Sequence, residues 1–276
     1  MTAEGTPASA GQRPATGESP ALDTSIAHQA RIYDYLLGGK DNFAADRRAG
    51  EAMIAAYPHT VAGLRANRQF LRRVMRYLAD DAGIRQFLDV GTGLPTAPNV
   101  HQVVQEIAPQ CRVVYVDYDP VVLSYARALL ISTPEGVTDY IDADLRDTDT
   151  ILERAAGILD FSQPVAVTVL MTLHAIADAD DPHGTISKIM SALPPGSHLA
   201  LTHPAADIES DKMADLTRRV NKLSFQQYTF RDRAEFARFF VGMDLVEPGI
   251  VPVGQWRPAI VTDRVFPVWT AVGRKP

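Results

Sequence analysis

Two closely spaced glycines behind an apolar run, Gly91 and Gly93, and three acids near predicted strand ends, Asp89, Asp117 and Asp144, are the residues here best suited to binding chemistry. A glycine turn after a strand lets a ligand approach the backbone. Asp117 closes the run Arg112–Val116, and an acid at the tip of the strand after a glycine loop suits ribose hydroxyls. Asp144 is placed either to accept from an adenine amino group or to stand as a solvated loop acid. A dinucleotide and S-adenosylmethionine both fit that pattern. The dinucleotide fingerprint wants a small residue at position 96 and a free helix N-terminus for the pyrophosphate, yet Leu94-Pro95-Thr96 stands there. Asp89 would add charge beside a diphosphate and is welcome beside a sulfonium and an α-amino group. The balance favours the sulfonium ligand.

His174, beyond an apolar run, is a candidate general base for a hydroxyl or amine acceptor, or else a structural histidine at a strand end. Tyr33, Tyr35, Lys40, Asp41 and Asn42 cluster around Gly38-Gly39. They suit a lid over a ligand and a wall of an acceptor pocket; the competing reading is a helix docked on the core edge with a glycine C-cap. Cys111 is the sole cysteine, which excludes an internal disulfide and a multi-cysteine zinc site. His198 and His203 lie across a strand end and suggest no shared metal.

These residues need a frame. Residues 1–24 are rich in Ala, Gly, Pro, Ser and Thr and read as a disordered tail. Three helical segments follow, from Ser25 as a cap to Leu37, from Ala44 to Tyr57 and from Thr60 to Ala79, making an N-terminal helical extension over 25–80. Arg65, Arg68, Arg72 and Arg76 share one face of the third, opposite Leu71, Val74, Met75 and Leu78, and read as a solvated face. An α/β core over 81–276 begins with the strand at Phe87–Val90. Its next helix has the stripe Val100, Val103, Val104 and Ile107, with Pro95 and Pro98 where a helix begins. Asp119-Pro120 reads as N-cap and N1 of a further helix. More strands are expected at 140–145, at Pro164–Leu170 (apolar enough to be buried on both faces), at 198–202, at 245–253 and at 266–272. A polar, partly helical insertion spans about 203–230 and a helix covers 231–241.

The chain of 276 residues supports one large domain with an appendage. Its net charge of −6 argues against non-specific nucleic-acid binding. No run of about 18 apolar residues occurs, so no membrane span is expected, and the N-terminus lacks signal-peptide character, which points to the cytoplasm.

Asp-Val-Gly-Thr-Gly (89–93), Val-Val-Tyr-Val-Asp (113–117) and Asp-Ala-Asp-Leu (142–145), with a final pair of strands around an aromatic-rich helix, resemble class I S-adenosylmethionine-dependent methyltransferases. The block Ala-Arg-Ile-Tyr-Asp-Tyr-Leu-Leu-Gly-Gly-Lys-Asp-Asn-Phe (30–43), with Asn67-Arg68, Val116-Asp117-x-Asp119-Pro120 and Trp256-Arg257-Pro258, resembles more narrowly an actinobacterial S-adenosyl methyltransferase family long filed as a domain of unknown function. The resemblance implies a Rossmann-like, mostly parallel seven-stranded sheet of order 3-2-1-4-5-7-6 with strand 7 antiparallel. It also implies that Gly91, Thr92 and Gly93 line the methionine part, Asp117 holds the ribose, and Tyr118 packs on the adenine. Asp144 and the Leu145 backbone would read the adenine edge, and Met171 joins this cofactor set. The expected activity is methyl transfer to a small-molecule acceptor, with no metal. A sensor that binds S-adenosylmethionine without turnover, and a nicotinamide-dependent oxidoreductase, are the alternatives.

Overall fold

The computed structural model describes residues 23–129, 131–223, 227–260 and 263–276. The expected tail, apart from its last two residues, lies outside them. Three helices come first: α1 (Gln29–Leu36), α2 (Ala44–Ala56) and α3 (Thr60–Arg76), the last continued by a π-helical turn over Tyr77–Asp81. Ser25 does not cap α1. It bonds Asp23, and His28 takes the N-cap position.

The core then alternates β1 (Gln86–Val90), α4 (Val100–Ile107), β2 (Arg112–Asp117), α5 (Pro120–Leu129), β3 (Val137–Asp142), α6 (Thr148–Ala156), β4 (Ala166–Leu170), α7 (Pro182–Ser191) and β5 (His198–Pro204). After it come α8 (Ser210–Asn221), α9 (Arg233–Ala237), β6 (Asp244–Leu245), β7 (Val251–Pro252) and β8 (Val268–Arg274). The sheet order is β3-β2-β1-β4-β5-β8-β6, parallel from β3 to β5 and antiparallel at β8. This is the expected Rossmann-like order with one difference. The single strand expected over 245–253 is two short pieces, both paired to β8, because Glu247-Pro248-Gly249 interrupts it with a missing N–H and a glycine at φ +79°. The strand expected over 140–145 lies earlier, at β3, so Asp144 stands on the exit loop.

Every residue of β1 and β5 is buried, as expected for strands covered on both faces. Alternation divides β1 between two cores. Leu88 and Val90 pack with Val114, Val167, Ile151 and Ile189, whereas Phe87 packs with Val113, Tyr115 and the α3 residues Phe70, Leu71 and Val74. Asp89, of the same parity as Phe87, therefore shares its face with α3. Chain order reverses between β1 and β4, and such a switch point opens a crevice at the carboxyl ends of the strands. α8 docks on α2 through Tyr57, Met213, Leu216, Val220 and Tyr228, and Tyr57 Oη donates to Glu209 Oε2 (2.5 Å).

Candidate cofactor and acceptor site

The glycine loop leaves β1 in left-handed backbone, with Gly91 at φ +72° and Gly93 at φ +67°. Gly91 N donates to Val116 O (2.8 Å), which ties the turn to β2. The two glycines are required for different reasons. A Cβ on Gly91 would lie 2.2 Å from Thr172 Cγ2, whereas one on Gly93 would meet only Ala30 Cβ at 3.8 Å. Gly93 is fixed by its backbone angle, and Gly91 also by the side chain from the β4 exit. Pro95 and Pro98 do not begin a helix: α4 starts at Val100 behind Asn99, whose N–H donates to Gln102 Oε1 (2.7 Å). An irregular loop thus separates Gly93 from the helix N-terminus that a pyrophosphate would need.

Asp117, 7% exposed, accepts from Gly93 N (2.8 Å) through Oδ2 and from Tyr118 N (2.8 Å) and Asp119 N (3.0 Å) through Oδ1. Burial pushes its carboxyl up, against the pull of the Asp119 and Gly93 N–H groups. Asp119 caps α5, accepting from Val121 N (2.8 Å). Its Oδ2 lies 2.9 Å from His28 Nδ1 and 3.7 Å from Arg31. Burial raises its carboxyl, but His28, the Val121 N–H and Arg31 outweigh this and hold it below the usual range.

The crevice is lined on one side by Val116, Asp117, Tyr118, Ala143, Asp144 and Leu145. The Asp144 carboxylate accepts from Arg146 Nε (2.9 Å), Nη2 (2.6 Å) and backbone N (2.9 Å). Burial raises its carboxyl and Arg146 lowers it further, leaving it below its ordinary value. On the other side Met171 stands at φ 55°, a left-handed angle unfavourable for a side chain with Cβ. Its N–H donates to Thr202 O (3.1 Å) and lies 3.0 Å from Thr202 Oγ1, and its carbonyl accepts from Gln29 Nε2 (2.6 Å). Gly91, Thr92, Gly93, Asp117, Tyr118, Asp144, Leu145 and Met171, eight residues expected to bind the cofactor, thus line one cleft.

The cover differs from expectation. His28, Gln29, Ala30 and Tyr33 line the cleft, whereas Tyr35, Lys40, Asp41 and Asn42 do not. Tyr35 lies against Gly50 and Glu51 on α2. Asp41 N (2.9 Å) and Asn42 Nδ2 (2.8 Å) donate to the buried Asp34, Tyr125 Oη donates to Asp41 (2.7 Å), and Lys40 is exposed. The polar density around Gly38-Gly39 therefore serves the Asp34 carboxylate and the α1 C-cap, since a Cβ on Gly39 would sit 1.9 Å from Asp34 Oδ1. Buried Arg31 likewise pairs with Asp46 (3.1 Å), which also accepts from His28 N and Phe43 N (both 2.8 Å).

His174 is likewise placed away from the cleft. It is buried on a 3-10 turn against Tyr228 (4.9 Å between ring centroids), with His203 and Phe230 beyond. Burial, aided by Arg231, pushes its pKa down to about 3, so it is neutral and enclosed by aromatic rings. Sequence reasoning missed Arg68. Only Arg65, Arg72 and Arg76 of the four arginines are exposed, whereas Arg68 lines the cleft and its Nη2 donates to the carbonyls of Thr96 and Pro98 (2.7 Å to the latter). Asn67, also missed, donates to Tyr33 Oη (3.1 Å) and accepts from Thr202 Oγ1 (2.8 Å).

A glycine loop without an adjacent helix N-terminus, a buried acid at the tip of β2 and an apolar wall behind Tyr118 fit an adenosine with an extended, non-phosphorylated tail. The S-adenosyl methyltransferase family model matches residues 15–276. The chain belongs to the S-adenosyl methyltransferase family. It is similar to a DUF574 family protein from Streptomyces avermitilis (43% identity, 92% of this chain and 99% of that one, TM-score 0.88). It is also similar to a Thermobifida fusca protein with a provisional methyltransferase assignment (39% identity, 93% and 97%, TM-score 0.86). A plantazolicin methyltransferase crystallised with S-adenosylhomocysteine and a triazolic desmethylPZN analogue shares the fold (11% identity, 90% and 96%, TM-score 0.54). No match was found among curated proteins. This family member is an S-adenosylmethionine-dependent methyltransferase, and among the described residues no helix is long and apolar enough to cross a membrane.

Proposed function

We propose that the methyl acceptor is a small molecule held between the β4 exit, Met171–Ile176, and the first turn of α1. The observation that carries this reading is the roof. His28 Nε2 meets Tyr118 Oη (3.1 Å) beyond β2 while the next residue, Gln29, bonds the Met171 carbonyl (2.6 Å) beyond β4. The first turn of α1 thereby bridges the crevice, and a bulky polymer would have to displace it. The cofactor supplies an electrophilic methyl group on a cationic sulfur. The protein's contribution is to orient the acceptor along the line of displacement and to exclude water. Asp117 is assigned to the ribose hydroxyls, Tyr118 and Leu145 to the adenine faces, and Asp144, already oriented by Arg146, to the adenine edge.

The test follows S-adenosylhomocysteine release and the fate of the label from methyl-labelled S-adenosylmethionine in the presence of size-fractionated actinobacterial extract. Turnover with the low-mass fraction is expected. Label appearing in protein or nucleic acid alone would refute the small-molecule reading, and binding without turnover in any fraction would favour the sensor.

A further inference from the structure

Behind the β4 exit lies a cation that does not line the cleft. Arg231, just before α9, is 1% exposed, and a guanidinium has five N–H donors to satisfy. Its Nε (3.1 Å) and Nη2 (2.7 Å) donate to Asp178 Oδ1, and Nη2 also donates to Ile176 O (2.9 Å). Its Nη1 donates to Leu173 O (3.1 Å) and to His203 Nε2 (2.8 Å). All but the last of these bonds reach one short stretch of chain, residues 173–178. The last fixes the guanidinium to β5: burial holds His203 neutral, so that its Nε2 accepts while Nδ1 donates to Pro204 O (2.9 Å). The backbone beside Arg231 is seated on the same elements, since Ala206 N donates to Arg231 O (2.9 Å) and Thr229 N to His174 O (2.7 Å). The stretch so held carries Ala175 and Ile176, which line the cleft on the side assigned to the acceptor. Its polar groups, the Leu173 and Ile176 carbonyls and the Asp178 carboxylate, are drawn to the guanidinium behind that wall.

We infer that Arg231 is a positioning residue for methyl transfer: without touching either ligand, it holds Ala175 and Ile176 where they keep the acceptor in line with the methyl–sulfur bond. This rests on the acceptor reading above and adds to it the group that sets the geometry. Buried carbonyls must find donors, so a loop that loses this guanidinium turns Leu173 O and Ile176 O toward other partners and shifts the wall. A misplacement of about 1 Å remote from the chemistry costs on the order of 100-fold in rate. The cofactor, held by the glycine turn and the tips of β2 and β3, keeps its contacts through such a shift.

The experiment pairs two measurements on the full chain, well below its melting point. Calorimetric titration of S-adenosylhomocysteine gives the affinity and, through the stoichiometry, the number of folded sites. Methyl-labelled S-adenosylmethionine with a dilution series of the low-mass extract fraction gives the maximal rate per site and the half-saturating dilution. Arg231→Gln should lower the maximal rate per site by about 10–100-fold and leave S-adenosylhomocysteine affinity within about twofold of wild type. Arg231→Lys, which keeps the charge but has three donors, should fall in between. An unchanged rate per site, with only the melting point lowered, would make Arg231 a structural brace and refute the inference. A fall in S-adenosylhomocysteine affinity equal to the fall in rate refutes it as well, as does a change in half-saturation alone. If Arg231→Gln does not fold, Asp178→Asn at the exposed end of the pair decides: a rate per site lowered by at least about threefold supports the inference and an unchanged one overturns it. Wild-type turnover with a polymer fraction alone would sink the small-molecule reading, and the same criteria then apply to Arg231 with that fraction. Wild type that binds S-adenosylhomocysteine and turns over with no fraction overturns both.

Discussion

Replacing Asp89 by Asn is expected to stabilise the ligand-free protein while weakening its ligand. Burial, against hydrogen bonding from Thr168 and the nearby charge of Arg68, pushes the Asp89 carboxyl from 3.8 to about 6. A carboxyl with a raised folded-state pKa binds more protons folded than unfolded, so its contribution is full below the unfolded value and is lost as pH rises through the folded one. A shift of that size corresponds to about 3 kcal/mol at a pH near 7.5, falling to about half at a pH near 5. Asparagine keeps the shape and carries no charge. The stability gained by Asp89→Asn should therefore grow by about 1–2 kcal/mol between pH 5 and 7.5. That is a growth of about 3–6 °C in melting-point difference for a chain of this size. Urea titrations at the two pH values measure it without ligand, and titration of S-adenosylhomocysteine should show the variant binding more weakly at the higher pH. A stability difference that stays flat, or shrinks as pH rises, would refute the argument that Asp89 is held ionised at a cost.

Asp117→Asn should lower S-adenosylhomocysteine affinity by about 10–100-fold through loss of a charged acceptor, whereas unchanged affinity in calorimetry would remove Asp117 from the ribose. Asp119→Ala should cost more than the roughly 0.5–2 kcal/mol of an N-cap alone, because His28 and buried Arg31 lose a partner with it; a loss confined to the cap value in a urea melt would show those contacts to be idle. Gly91→Ala should destabilise more than Gly93→Ala, because both positions have left-handed backbone but only the first would drive its Cβ into Thr172; equal losses in urea melts would leave backbone strain as the whole cause. Hydrogen exchange should slow over residues 28–33 at saturating S-adenosylhomocysteine and stay unchanged over 39–43, which Asp34 already holds. Protection of both segments would restore the longer lid.

The sheet was legible because a parallel strand buried on both faces must be almost wholly apolar, which β4 satisfies in sequence, while β1 and β2 show as short apolar runs between polar ends. The split between β6 and β7 was visible only as Glu247-Pro248-Gly249, and pairing had to decide whether that tripeptide bent a strand or broke it. The glycine loop and Asp117 were readable from spacing. Arg68 was not, since helical periodicity says that a residue lies off the apolar stripe but not whether solvent or a cleft receives it. The opposite error arose at residues 40–42. A run of polar side chains resembles chemistry in sequence, whereas Asp41 and Asn42 here satisfy a buried carboxylate several residues back. His174 misled similarly, because strand-end position does not reveal the Tyr228 ring folded over it from a distant segment.

The contact of Thr172 with Gly91 bears on the order in which ligands arrive. The threonine side chain occupies the space that any larger residue at Gly91 would need, so the glycine turn and the β4 exit, proposed to hold cofactor and acceptor, are seated on one another. On that proposal, an acceptor that displaced the β4 exit would remove the support behind the glycine turn, and a cofactor that fixed the turn would present a finished wall to the acceptor. Steady-state kinetics should accordingly show a compulsory sequence, cofactor first, with the demethylated product leaving last.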